Sequence, residues 1–208
     1  MKVAAIVPAY NEEHTIGPVI EALLECPLLH EIIVVSDGSE DRTAEVARRY
    51  PVKVIELTEN VGKGGAMKAG AQQTTCEVLL FVDADLVGLH KEHIEALLAP
   101  VLSGKTAMSI GVFSEGRRTT DLAQKLAPHL SGQRAVLKDL FDQVPNLERS
   151  GYGVEVALTQ FAERHNVDIV RVHLPTVSQI MKEEKRGLVK GLGSRLKMYW
   201  EIVRSLRI

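Results

Sequence analysis

Asp83 and Asp85 stand one residue apart at the end of the apolar run Leu79-Leu80-Phe81-Val82-Asp83-Ala84-Asp85. The run reads as a buried strand, whose last residues are rigidly held, and a spacing of two turns both carboxylates the same way. One can then hold a divalent cation while the other orients a neighbouring group, and hard oxygen donors suit magnesium or manganese. A metal-diphosphate site would be built here. Asp after a strand is also ordinary turn chemistry, so the pair alone does not decide between the two readings.

Three further strand ends carry similar chemistry. The first strand runs into Pro8-Ala9-Tyr10-Asn11-Glu12-Glu13, where Pro8 would end pairing, Asn11 would cap the next helix, and Tyr10 and Glu12 would face a ligand. The second ends in Ser36-Asp37-Gly38-Ser39-Glu40-Asp41, a turn in which Asp37 is placed to accept a hydrogen bond from a base N–H. The third leads into Asn60-Val61-Gly62-Lys63-Gly64-Gly65, glycine-rich and basic at a helix start, a natural anion site.

The elements that must position these ends follow from periodicity. Strand-length apolar runs at residues 3–7, 31–35, 52–57 and 78–82 alternate with helical patterns at 16–24, 42–50 and 63–74. That rhythm predicts a parallel sheet with crossover helices, and ligands of such sheets bind at the carboxyl ends of the strands. A helix over 90–103 and strands over 106–112 and 168–174 continue the pattern. Residues between 114 and 168 read as helices and loops punctuated by glycine and proline. No linker composition interrupts the chain, so one α/β domain over 1–208 is expected. It divides into a ligand-binding half at 1–115, a second half at 116–180 and a C-terminal helix at 181–208.

Composition bounds the remaining classes. The 208 residues are 45% hydrophobic and 25% charged, as in ordinary globular proteins. No apolar run has the roughly 20 residues that span a bilayer, and the start is not a signal-peptide pattern, so a cytoplasmic location is expected. Cys26 and Cys76 lack CxxC spacing, which argues against a zinc site or a disulfide framework. Aromatic residues, at 4%, are too sparse for a nucleic-acid stacking surface. Residues 182–208 carry eight Lys or Arg against three Glu, and Leu188, Leu192, Leu196, Tyr199, Val203 and Leu206 share one helix face. That face would pack on the domain or on a partner such as a second copy. Trp200 and the basic residues leave open peripheral contact with the inner face of a membrane.

Taken in order, the four strand ends resemble the family-two glycosyltransferases of GT-A fold, which carry P-A-x-N-E, D-G-S-x-D, N-x-G-K-G and D-A-D at these places. The resemblance implies transfer of a hexose from a UDP- or GDP-sugar to a small phosphorylated or lipid-phosphate acceptor, with Mg2+ or Mn2+. It implies that Pro8, Ala9, Tyr10, Glu12, Asp37, Lys63, Asp83, Ala84 and Asp85 line the nucleotide sugar. Residues 116–122, 130–136 and 151–155 resemble the acceptor region of glucosyl-3-phosphoglycerate synthases and small bacterial relatives. Arg118, Thr120, Gly132, Gln133, Arg134 and Tyr152 would then face the acceptor or sugar, and Glu155 with Asp85 would be catalytic. Those synthases usually have a third metal ligand, a His, before the last helices. An approximate alignment puts Gln179 there with His173 six residues earlier, so the expected metal set is Asp83, Asp85 and His173, with Gln179 the alternative third ligand. Two other readings compete. One is a haloacid-dehalogenase-like phosphatase, which lacks its later acidic pair here; the other is a catalytically silent nucleotide-sugar-binding module.

Overall fold

The computed structural model describes residues 1–113, 132–149 and 153–179. The first half alternates as expected: β1 (Val3–Ala9), α1 (Ile16–Leu24), β2 (Glu31–Asp37), α2 (Thr43–Ala47), β3 (Lys53–Leu57), α3 (Lys63–Ala71) and β4 (Val78–Phe81). After it come β5 (Leu86–Val87), α4 (Lys91–Leu102), β6 (Met108–Phe113), β7 (Arg134–Leu137), α5 (Lys138–Asp142), α6 (Val154–Arg164), β8 (Ile169–Leu174) and β9 (Ser178–Gln179). The segment 181–208, with its expected amphipathic helix, lies outside the described residues. Among the described residues no helix is long and apolar enough to cross a membrane.

Successive side chains of a strand face opposite ways, and here both faces are covered. Val3, Ala5 and Val7 of β1 pack with Ile16, Val19, Ile20 and Leu23 of α1 and with Leu97, Leu98 and Val101 of α4. Ala4 and Ile6 pack on the other side with Met67 of α3, Phe141 of α5 and Leu158 of α6. The α1 positions repeat at three and four residues, the spacing of a single helix face. The α3 sequence is small and glycine-rich because the helix runs close to its neighbours. A Cβ at Gly70 would meet the Ile6 and Val35 side chains at 2.6 and 3.1 Å, and one at Gly64 would run into the Leu147 carbonyl.

Among the described residues, seven strands form the main sheet in the order β3-β2-β1-β4-β7-β6-β8, and β5 pairs separately with β9. Strands β1 to β4 are mutually parallel, as are β6 and β8. The exception is β7, which runs antiparallel between β4 and β6. The sequence pattern did not signal this strand. It has four residues and opens on an arginine, so its alternation is too short to read locally. The chain steps outward from β1 to β2 and β3, then returns to place β4 on the other side of β1. That reversal is a topological switch point, where open α/β sheets form a crevice at the strands' carboxyl ends. Pairing of β1 with β4 stops at Ile6 while pairing with β2 continues to Ala9. Pro8, which has no N–H to donate, therefore lies within β1 but beyond its β4 ladder, rather than ending the strand.

Candidate active site

The β1 and β2 ends are stitched into one rim. Asn11, at φ 56°, accepts the Glu40 N–H on its side-chain oxygen at 2.8 Å, and its own N–H donates to Ser39 Oγ at 3.2 Å. It thus ties two loops together instead of capping α1, whose N-cap is Thr15. The Glu12 N–H donates to Thr43 Oγ1 at 2.7 Å and the Glu13 N–H to Asp41 Oδ2 at 3.1 Å. Asp41 also accepts the N–H of Thr43 at 2.9 Å. These backbone-to-side-chain bonds fix the course of residues 10–13 and leave Tyr10 exposed at the rim. Asp41 and Thr43 were not singled out in the sequence; their signal was the last Asp of the D-G-S-x-D motif.

Asp37 turns inward. It is 3% exposed, and its Oδ1 accepts the Val61 N–H at 2.8 Å while its carbonyl accepts from the Asn60 side chain at 3.1 Å. Burial pushes the carboxyl pKa up, and hydrogen bonds from the Val61 and Gly62 amides oppose that shift. Asp37 is therefore built into the loop that delivers Lys63. Gly38, at φ 65°, lies so close to residues 59 and 60 that a Cβ would overlap their backbone.

Lys63 opens α3 and forms the centre of the site. Its Nζ lies 2.5 Å from Asp83 Oδ1 and 2.5 Å from Glu155 Oε1. Burial alone would lower the ammonium pKa. The charges of Asp83 and then Glu155, with their hydrogen bonds, outweigh it and hold the group well above its ordinary value. Gly132 lies against this pair, and a Cβ there would overlap both the Asp83 carboxylate and Lys63 Nζ. The fold thus brings Lys63, Asp83, Gly132 and Glu155 together from four separate stretches of chain. Ala84 and Asp85 follow directly, at 3% and 6% exposure.

Two expectations need correction. Gln133 and Arg134 were read as a loop facing the acceptor, but Arg134 is the first residue of β7, paired with Phe81 and Ile110, and is 0% exposed. Gln133 is 1% exposed, and its carbonyl accepts the Gly111 N–H at 2.8 Å. The reason is β7 itself: once the segment is a central strand, its side chains enter the layers. The second correction concerns His173, which lies exposed on β8, at the sheet edge three strands from β4. Strand spacing puts that edge about 14 Å away. Instead, β9 pairs with β5 so that Gln179 is the register partner of Leu86, the residue after Asp85. Among the described residues no three His, Cys, Asp or Glu side chains gather as a metal cage. A magnesium-type ion does not need one, because it takes one or two carboxylates and completes its shell with substrate phosphates and water. Asp85 and the neighbouring Asp83 fit that mode. Arg118, Thr120 and Tyr152 lie outside the described residues.

The Glycosyl transferase family 2 model matches residues 4–152, well over half of the chain. The chain belongs to this family. The likeness seen in the strand-end motifs and the expected GT-A fold are both borne out for this family-2 glycosyltransferase. Glucosyl-3-phosphoglycerate synthase from Mycobacterium tuberculosis, solved with Mn2+, uridine-diphosphate and phosphoglyceric acid, superposes with a TM-score of 0.79 at 26% identity. The match covers 99% of this chain and 77% of that one. The synthase of the same name from Petrotoga mobilis is 27% identical over 82% of this chain. Dolichyl-phosphate beta-glucosyltransferase from Mus musculus is 37% identical over 40% of it. The chain spans 63% and 31% of these last two relatives' lengths.

Proposed function

We propose that this chain transfers a hexose from a UDP- or GDP-sugar to a small phosphorylated or lipid-phosphate acceptor, with Mg2+ or Mn2+ at Asp85. The observation that carries the reading is the contact of Lys63 with the buried carboxylates Asp83 and Glu155 at the switch point, with Asp85 immediately beyond it. It is supported by likeness to a synthase solved with Mn2+, uridine-diphosphate and phosphoglyceric acid, and to one solved with Mg2+ and uridine-diphosphate. In this reading residues 1–115 bind the donor, 116–180 the acceptor, and 181–208 dock on the domain, a second copy or a membrane surface.

Each residue then has a physical task. Pro8, Ala9, Tyr10 and Glu12 form the rim that receives the base and ribose, and Asp37 holds the Lys63 loop in register. Asp83 and Asp85 orient the ribose and diphosphate, with Ala84 leaving room between them. When bound, the metal neutralises charge developing on the nucleoside diphosphate as it leaves. Lys63 remains protonated and contributes a fixed positive charge at the same place, in a site largely shielded from water. As the diphosphate draws the ammonium toward itself, Glu155 Oε1 loses its cation and becomes available to sugar or acceptor hydroxyls. Gly132 keeps the backbone low over this exchange, and Arg118, Thr120 and Tyr152 complete the acceptor side.

The test is calorimetry of UDP-glucose, GDP-mannose and GDP-glucose with the purified chain, with and without manganese. Metal-dependent binding of one donor is expected. Absence of binding by all three would overturn the proposed donor class.

A further inference from the structure

Glu155 is held from two directions by groups outside its own carboxylate. Its backbone carbonyl, in the first turn of α6, accepts from Arg134 Nη1 at 3.1 Å and from Thr159 Oγ1 at 2.8 Å. Arg134 reaches it from inside the sheet, since β7 sits between β4 and β6 and the arginine is fully buried. The residue that precedes it by two, Gly132, packs on the Lys63–Asp83 pair. The same short segment therefore touches the cluster twice, once beneath Lys63 and Asp83 and once behind Glu155. Two cations, the half-buried Lys63 and the buried Arg134, lie with two buried anions, Asp83 and Glu155. Burial draws the guanidinium pKa down, and the charges of Glu155 and Asp83 oppose that shift. A buried charge is costly unless it is balanced in this way.

We propose that Arg134 is a positioning residue, which fixes the first turn of α6 and so holds the Glu155 carboxylate against Lys63, and that it does not bind the acceptor. A planar guanidinium suits the task because its rigid fork reaches a backbone carbonyl while its charge stays fixed; lysine would retain only the charge. The kinetic part of this inference rests on the proposed transfer reaction, and the structural part does not.

The full chain is compared with Arg134→Met, Arg134→Lys, Glu155→Gln and the Arg134→Met/Glu155→Gln double variant. UDP-glucose with manganese and 3-phosphoglycerate serve as probes. Arg134→Met is expected to lower kcat on the order of 10²-fold, the effect of a displacement of about 1 Å in a catalytic group. KM for 3-phosphoglycerate should stay roughly unchanged, Arg134→Lys should recover part of the rate, and the double variant should be no slower than Glu155→Gln alone. A raised acceptor KM with kcat preserved, or effects that multiply, overturns the assignment. Backbone amide exchange supplies a readout independent of turnover. Residues 158–161 of α6 should exchange about tenfold faster in Arg134→Lys, with β1 and β2 unchanged. Unaltered exchange in α6 overturns the inference whatever the activity. If the unsubstituted chain turns over no donor, the transfer reading fails while the exchange comparison still decides the role of Arg134.

Discussion

Lys63 and Glu155 meet at 2.5 Å although one opens α3 and the other lies in the first turn of α6. No local pattern relates them. The contact exists because both helices pack on the same face of the sheet and begin at its carboxyl end, where Asp83 completes the cluster.

Lys63→Met removes a cation that touches both carboxylates directly. Loss of about 2–3 kcal/mol is expected, below the full penalty of breaking a buried pair because the Lys63 side chain is 20% exposed. In the native chain the raised pKa of Lys63 means its contribution is fully present below the unfolded value of 10.5 and is lost as pH rises through the higher folded value. In the variant, two adjacent carboxylates lack that cation, which raises the folded pKa of at least one. A group raised in this way is favoured at acid pH, so the gap to the native chain should narrow on acidification. Urea unfolding at pH 7 and pH 5 measures this, and a gap that widens at pH 5 would count against the cluster.

Asp37→Asn separates folding from ligand recognition. The folded pKa of Asp37 is raised by burial, so its favourable contribution is present below the unfolded value of 3.8 and is lost as pH rises through the folded value. At neutral pH the ionised side chain is therefore a cost. Asparagine keeps an oxygen for the Val61 N–H without the charge. Thermal melting at pH 7 should show equal or higher stability for the variant, whereas calorimetry should show weaker donor binding through the altered Lys63 loop. A clear fall in Tm would show that the charge itself is needed.

Gly132→Ala places a methyl group where Asp83 and Lys63 already stand. The overlap should cost about 1–3 kcal/mol, as for other overpacked sites. Donor affinity should fall with it, because relief requires Lys63 or Asp83 to move. Chemical denaturation and calorimetry together test this; unchanged values in both would place Gly132 farther from the pair.

Asp85→Ala should abolish the manganese dependence of donor binding, while His173→Ala should leave it intact because β8 keeps His173 at the sheet edge. The decisive result is the contrast between the two titrations. Manganese-dependent affinity that survives Asp85→Ala, or disappears in His173→Ala, would move the metal away from the β4 end.

Local pattern alone carried the alternation of strands and helices through residue 102 apart from the two-residue β5, the two-sided burial of β1 and β4, and the identity of the residues at the strand ends. These are local properties: periodicity decides which faces are apolar, and turn chemistry decides where a strand stops. Helix α1 matched its expected bounds, 16–24, for that reason. Only the tertiary structure decided what lies between β4 and β6, because a four-residue antiparallel strand is stabilised by its neighbours and not by its own pattern. That insertion buries Arg134, which the motif alone placed in an acceptor-facing segment. The same limit applies to the metal side. Residue type favoured His173 although alignment pointed to Gln179; the pairing of β5 with β9 put Gln179 beside Asp85's neighbour, and strand order is set by packing of the whole sheet.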